Sequence, residues 1–157
     1  MKTQAPDYLL ITPEQVENWI DNIFYQIQES GKKYDYVVGI REGGLNVSLP
    51  LACKLGIVHQ SVKISFYHED PDDPYSVSNL FHCSPIIETD GFECKPNGLI
   101  VDDLIDRGKT MQEFVKIYGV MDIAVLLWNE AGTLFEREPT YWAKIKPPKW
   151  IVFPWEQ

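Results

Sequence analysis

Leu99-Ile100-Val101-Asp102-Asp103-Leu104-Ile105-Asp106-Arg107-Gly108-Lys109-Thr110-Met111 opens on three apolar residues of a buried strand and runs into a helix expected over residues 108–118. Asp102 and Asp103 follow the apolar run, at the carboxyl end of the strand, where open α/β sheets bind their ligands. The loop of Asp106, Arg107, Gly108, Lys109 and Thr110 leads into the helix. The first N–H groups of that helix have no intrahelical acceptor and favour an anion. Gly108 lets backbone approach a phosphate closely, and Thr110 adds a hydroxyl donor. Carboxylates suit sugar hydroxyls and Mg²⁺, so the whole stretch fits a ribose 5-phosphate.

Two rival readings fail on spacing. Gly108-Lys109-Thr110 ends like a Walker A loop, but that loop needs glycine where Asp103 stands. An acidic pair after a strand also suits a phosphoacceptor receiver domain, but there it follows the first strand. Here it comes some hundred residues into the chain.

Working outward, strands and helices alternate, as in a mainly parallel sheet with right-handed crossovers. Thr12-Pro13-Glu14-Gln15 is a helix start with a capping box, followed by apolar Val16, Trp19, Ile20, Ile23, Phe24 and Ile27 and closed by Gly31. A strand over 36–40 meets the turn Arg41-Glu42-Gly43-Gly44, then a helix over 45–55 capped by Gly56 and a strand over 62–67. Further strands are expected over 123–128 and 142–145, with 84–88 a candidate. The tail from Pro147 to Trp155 reads as too rich in Pro and Trp for a regular element. Residues 68–97, with four acidic residues near their start, read as a solvated loop or as a lid over a site.

The 157 residues suggest one domain, and the formal net charge of −9 with no basic stripe argues against a nucleic-acid polymer as partner. Three cysteines are too few and too scattered for a disulfide framework or a metal knuckle, and Cys53 reads as a small core residue. The three histidines share no ligand spacing. No apolar run approaches a membrane span and no leader is evident, so the reading is a cytoplasmic protein without a membrane partner.

The run hydrophobic–hydrophobic–Asp102-Asp103–x–x–Asp106–x–Gly108–x–Thr110 resembles the signature of the type I phosphoribosyltransferases. Residues 38–45, 64–67 and the ending Lys149-Trp150-Ile151-Val152-Phe153-Pro154-Trp155-Glu156 are similar to the bacterial xanthine–guanine branch. The resemblance implies a Rossmann-like α/β fold, mainly parallel and flanked by helices, with a small C-terminal hood built mainly from about 141–157. It implies transfer of the 5-phosphoribosyl group from 5-phosphoribosyl 1-pyrophosphate (PRPP) to a purine base, giving a nucleoside monophosphate and pyrophosphate, with Mg²⁺ as cofactor. It also implies a homodimer or homotetramer.

By that match, Asp102 and Asp103 hold the ribose hydroxyls and Mg²⁺, directly or through water. Asp106, Arg107, Gly108, Lys109 and Thr110 hold the 5-phosphate. Arg41, Glu42, Gly43 and Gly44 form the pyrophosphate loop, and a cis peptide is expected at Glu42–Gly43. Asp106 is the catalytic acid or base near purine N7, Trp150 stacks on the base and backbone near Ile151 reads its 2-substituent. For Trp150 and Trp155, core packing is the competing role.

Three positions depart from the branch. Glu42 stands where a basic residue is usual, so Arg41 is expected to reach the site and Glu42 to face away. Asn129 replaces a lysine that reaches the 6-oxo group; an amide donates to a 6-oxo group or accepts from a 6-amino group, which leaves the base open. Arg107 replaces a small Ser or Thr, adding a phosphate contact or facing solvent. Alternatives are a phosphoribosyltransferase for another nucleobase and a non-catalytic regulator that binds PRPP or nucleotide.

Overall fold

The structure is a computed structural model that describes residues 5–65, 86–89 and 91–157. In chain order the elements are β1 (Tyr8–Leu10), α1 (Pro13–Ser30), β2 (Tyr36–Arg41), α2 (Leu45–Leu55), β3 (Val58–Ser65), β4 (Ile86–Glu88), β5 (Gly98–Ile105), α3 (Lys109–Tyr118), β6 (Asp122–Trp128), β7 (Tyr141–Ile145) and β8 (Trp150–Val152). A 3₁₀ turn, Pro154–Glu156, follows.

The main sheet has the order β4-β3-β2-β5-β6-β7 and is parallel except for β4, which runs antiparallel beside β3. Both faces are covered, which is why its strands read as unbroken apolar runs. On one face α1 and α2 bury Val16, Ile20, Ile23, Ile27, Val47 and Leu51 against Val37, Leu99, Val101 and Ala124. On the other, Met111 and Phe114 of α3 pack with Val38, Ile40, Ile100 and Val125.

That arrangement positions the site. From β2 the chain winds through α2 to β3 in one direction; from β5 it winds through α3 to β6 in the other. The winding reverses between β2 and β5, where the loops after the two strands face each other. Pairing of β2 with β5 ends at Gly39↔Val101, while β5 continues beside β6 to Ile105↔Trp128. The two central strands therefore part at their carboxyl ends and leave a crevice.

Gly39 sits at this parting point and its glycine is required. A Cβ there would lie 2.1 Å from the Ser48 hydroxyl, which is fully buried and bonded to His59 Nε2 at 2.8 Å. Gly39→Ala should cost about 1–3 kcal/mol, as other small-to-large core changes do. The thermal midpoint should then fall by about 2–4 °C per kcal/mol; an unchanged midpoint in calorimetry would refute this.

Several expectations are corrected. β3 begins at Val58, because its first half is polar and gains its place from pairing with β2 rather than from burial. β5 runs on through the acidic pair to Ile105, held there by β6, so Asp102 and Asp103 lie within the strand. The tail is regular: β8 pairs in parallel with β1, in the register Tyr8↔Trp150 to Leu10↔Val152. Local sequence cannot show a partner some 140 residues away. Cys53 is exposed, since the helix face carrying Val47, Ser48, Leu51 and Ala52 inward turns the next residue out. Of the stretch assigned to the hood, β7 is an edge of the main sheet, and β8 pairs with β1 in a separate two-stranded sheet. Most of the lid assignment, including residues 68–85, lies outside the described residues, as do His68, His82 and Cys83.

Candidate active site

The turn after β2 and the acidic pair of β5 meet across the crevice. A Cβ on Gly43 would lie 2.3 Å from Asp103 Oδ2, and one on Gly44 would lie 2.9 Å from Asp102 Oδ1 and 2.3 Å from the Ile40 carbonyl. Two glycines are thus needed for the turn to close on the carboxylates. The cis peptide falls at Arg41–Glu42, one bond earlier than expected. The Glu42 carboxylate points outward, 3.7 Å from Lys63 Nζ. Arg41 is directed to β4, with Nη2 3.3 Å from the Glu88 carbonyl.

Asp102 is 8% exposed and accepts the Asp103 backbone N–H at 2.8 Å. Burial first, and the neighbouring Asp103 second, hold its carboxyl well above the usual carboxylate range. Burial also raises Asp103, to which the charge of Glu156 adds. Beside them the Trp155 indole, stacked on Phe153 at 4.6 Å, buries its N–H with no acceptor among the described residues, 3.5 Å from where a Gly43 Cβ would be.

The loop after β5 is shaped by the turn after β6. Gly108 adopts φ +83°, and a Cβ there would lie 2.4 Å from Phe135 and 2.7 Å from Thr133 Oγ1. The Arg107 carbonyl accepts from the Leu134 N–H at 2.9 Å, and the Gln112 side chain donates to the Leu134 carbonyl at 2.9 Å. Gly108 caps α3 without a side-chain bond, so Lys109 and Thr110 open a helix whose N-terminus has no side-chain cap. Arg107 is exposed. Asp106 accepts from the Asn129 side-chain amide at 2.7 Å.

Asp106 also borders a pocket of about 390 Å³ with Leu104, Lys146, Lys149, Trp150, Ile151, Val152 and Glu156. Trp150, 65% exposed, stands on the wall of this pocket rather than in the core, while Ile151 is buried beneath it. Lys146 was not singled out from sequence. Its backbone N–H is pinned to the Trp128 carbonyl at 2.8 Å, and its ammonium donates to the carbonyls of Pro147 and Lys149 at 3.3 and 2.9 Å. The signal available was a pair of lysines bracketing Pro147-Pro148 immediately before Trp150, in an otherwise acidic chain. Among the described residues, no group of three or more His, Cys, Asp and Glu could hold a metal on its own.

The structure thus brings Asp102 and Asp103 to Gly43 and Gly44, and Asp106 to Asn129, Trp150 and Ile151, on adjoining parts of one edge. A carboxylate crevice, a helix start without a side-chain cap and an aromatic-walled pocket lie at the switch point of a doubly wound α/β sheet, where such sheets bind their ligands. Over residues 11–157 the sequence matches the family described as phosphoribosyl transferase domain, and the chain belongs to that family. It is 28% identical over 121 residues to a xanthine-guanine phosphoribosyltransferase of Cereibacter sphaeroides, covering 76% of this chain and 68% of that one. A purine phosphoribosyltransferase from Pyrococcus horikoshii superposes with a TM-score of 0.75 at 29% identity, covering 96% and 95% of the two chains. The xanthine-guanine-hypoxanthine enzyme of Helicobacter pylori shares the fold, with a TM-score of 0.70 at 16% identity over 95% and 93%. Among the described residues no helix is long and apolar enough to cross a membrane.

Proposed function

We propose that this protein transfers the 5-phosphoribosyl group from PRPP to a purine base, releasing pyrophosphate and a nucleoside monophosphate. The observation that carries this reading is the pairing of two compartments: the carboxylate crevice closed by Gly43 and Gly44, and the aromatic-walled pocket reached by Asp106. The likeness to purine phosphoribosyltransferases of Cereibacter and Pyrococcus supports it.

In this reading Asp102 and Asp103 accept from the ribose hydroxyls. The backbone N–H groups of Asp106, Arg107, Gly108, Lys109 and Thr110, with the Thr110 hydroxyl, hold the 5-phosphate. Gly43 and Gly44 bring backbone against the pyrophosphate, flanked by Arg41 and Glu42. The C1–oxygen bond breaks with its electron pair leaving on pyrophosphate, and a purine nitrogen forms the new bond to C1. Asp106 exchanges the purine's imidazole proton, Trp150 stacks on the ring and the Ile151 backbone meets its edge.

A divalent cation fits the crevice. Asp102, buried, and Asp103, half-buried, both bear a cost of ionisation that a bound cation would relieve, and two protein ligands are what Mg²⁺ uses when substrate phosphates complete its shell. When bound, Mg²⁺ would neutralise charge on the departing pyrophosphate. Lys146 adds a cation on the base side. Its partners are neutral carbonyls, so its charge is not cancelled and favours an electron-rich oxo group on the base. The reading extends to the whole chain as one domain, working in the cytoplasm as a homodimer or homotetramer.

The test is nucleotide formation from PRPP and Mg²⁺ with xanthine, guanine, hypoxanthine and adenine. Oxopurines should be used in preference to adenine, and Lys146→Ala should reduce that preference by about tenfold, the share of one hydrogen bond to a charged group. Binding of PRPP with no pyrophosphate released on any base would overturn the enzymatic reading.

A further inference from the structure

We infer that Asn129 is a positioning residue for Asp106, clamping the acid–base carboxylate in one orientation, and that it does not read the base. The inference rests on the role given above to Asp106.

Chemistry fixes which way the amide points. Its Nδ2 donates to Asp106 Oδ1 at 2.7 Å, and its Oδ1 accepts the Gly132 backbone N–H at 3.2 Å. Turned over, the amide would set oxygen against carboxylate oxygen and NH₂ against a backbone donor, losing both bonds. The backbone is pinned as well: the Asn129 N–H donates to the Ile105 carbonyl at 2.8 Å, one residue before Asp106, and the Asn129 carbonyl accepts from Thr133 at 3.0 Å. The turn is built tightly around the amide, since a Cβ on Gly132 would lie 2.5 Å from Nδ2.

Asp106 needs such an anchor. It is exposed at the start of a loop, where an unrestrained carboxylate samples several rotamers. One charge-assisted bond to a fixed amide selects a single rotamer, leaving the second carboxylate oxygen as the acceptor for the base proton. The other charged groups lining the same pocket, Lys146 and Lys149 from the turn before β8 and Glu156 from the 3₁₀ turn, supply charge there. The neutral amide supplies direction. A residue committed to Asp106 and Gly132 is not placed to tell one base from another.

The test is a double-mutant cycle on the full chain, with steady-state kinetics on an oxopurine and on whichever other base is turned over, and single-turnover measurement for the slow variants. Asn129→Ala should lower kcat roughly ten- to a hundredfold with every base. KM for base and for PRPP should stay within about twofold, since the lost interaction acts on the transition state. In the Asp106→Ala background the same change should have no further effect, because the carboxylate it orients is gone. Asn129→Asp keeps the acceptor for Gly132 and loses the donor, so it should match or exceed the alanine defect even if Asn129→Ala fails to fold. A rise in KM for one base alone, or an undiminished defect in the Asp106→Ala background, would overturn the inference while leaving the reading of Asp106 intact. Full activity of Asp106→Ala alone would remove that reading instead.

Discussion

Asp106→Ala should lose about two to four orders of magnitude in kcat, the usual share of general acid–base catalysis, while PRPP still binds. The carboxylate stands where the two compartments meet. It follows directly on the strand that carries Asp102 and Asp103, and it borders the pocket walled by Trp150. No other carboxylate of the β5 stretch lines that pocket. Being exposed, it contributes little packing, so the variant should melt within a degree or two of the parent. Loss of the Asn129 bond is then a kinetic effect rather than a folding one. Asp106→Asn separates the functions further: it keeps an acceptor oxygen but cannot take a proton, and should fall with the alanine variant. Retention of wild-type turnover by both variants, with pyrophosphate release as the readout, would remove Asp106 from the chemistry.

Asp102→Asn and Asp103→Asn are expected to do the reverse to stability. Each should reduce kcat/KM for PRPP by on the order of a hundredfold or more, since hydroxyl and cation contacts to a charged acceptor are lost, yet each should melt higher than the parent. Burial raises both carboxyls in the fold. A raised carboxyl binds its proton more tightly folded than unfolded, so its stabilising contribution is present at acid pH. That contribution is lost as pH rises from the ordinary carboxylate range through the raised folded value. An amide at either position removes that slope. His59, which burial pushes down, tilts the acid side the opposite way, but it is common to parent and variant and cancels in their difference. Thermal melts of the ligand-free proteins across pH 5 to 8 should therefore diverge as pH rises, with the asparagine variants ahead. Mg²⁺ and PRPP should close the gap by stabilising only the parent. Parallel melting curves at every pH would show that the acidic pair carries no stored cost.

The placement of these carboxylates together at one sheet edge was legible because their signal is contiguous. A strand, an acidic pair, a glycine and a helix start lie within thirteen residues, and the local chemistry of each agrees with the fold around it. The elements with strong local signals, such as the capping box of Thr12 and Gln15 and the left-handed Gly31 and Gly56, fall where sequence places them. What sequence could not show depends on distance along the chain. The partner of β8 is β1, and the first half of β3 is polar and held by β2. Asn129 illustrates the same limit within the site. Its residue type left donor and acceptor roles open, and only the meeting of two turns 23 residues apart places its NH₂ on Asp106. Lys146 escaped notice because nothing local distinguishes a pocket lysine from a solvated one.

The pairing of β1 with β8 separates what the site must keep from what it is free to change. The crevice proposed for the ribose and its phosphates is cut into the middle of the main sheet, where a single added methyl group at Gly39, Gly43 or Gly44 meets an atom within 3 Å. The wall proposed for the base is carried by a two-stranded ribbon made from the two ends of the described chain, with Trp150 exposed on it. Ile151 and Phe153 tie that ribbon into the core of the main sheet, but its outward positions Tyr8, Leu10 and Trp150 are exposed, so substitutions confined to them leave the packing intact and, in the proposed reading, could alter the base without touching the ribose-phosphate crevice. In the proposed reading the molecule is a fixed engine with an exchangeable fitting.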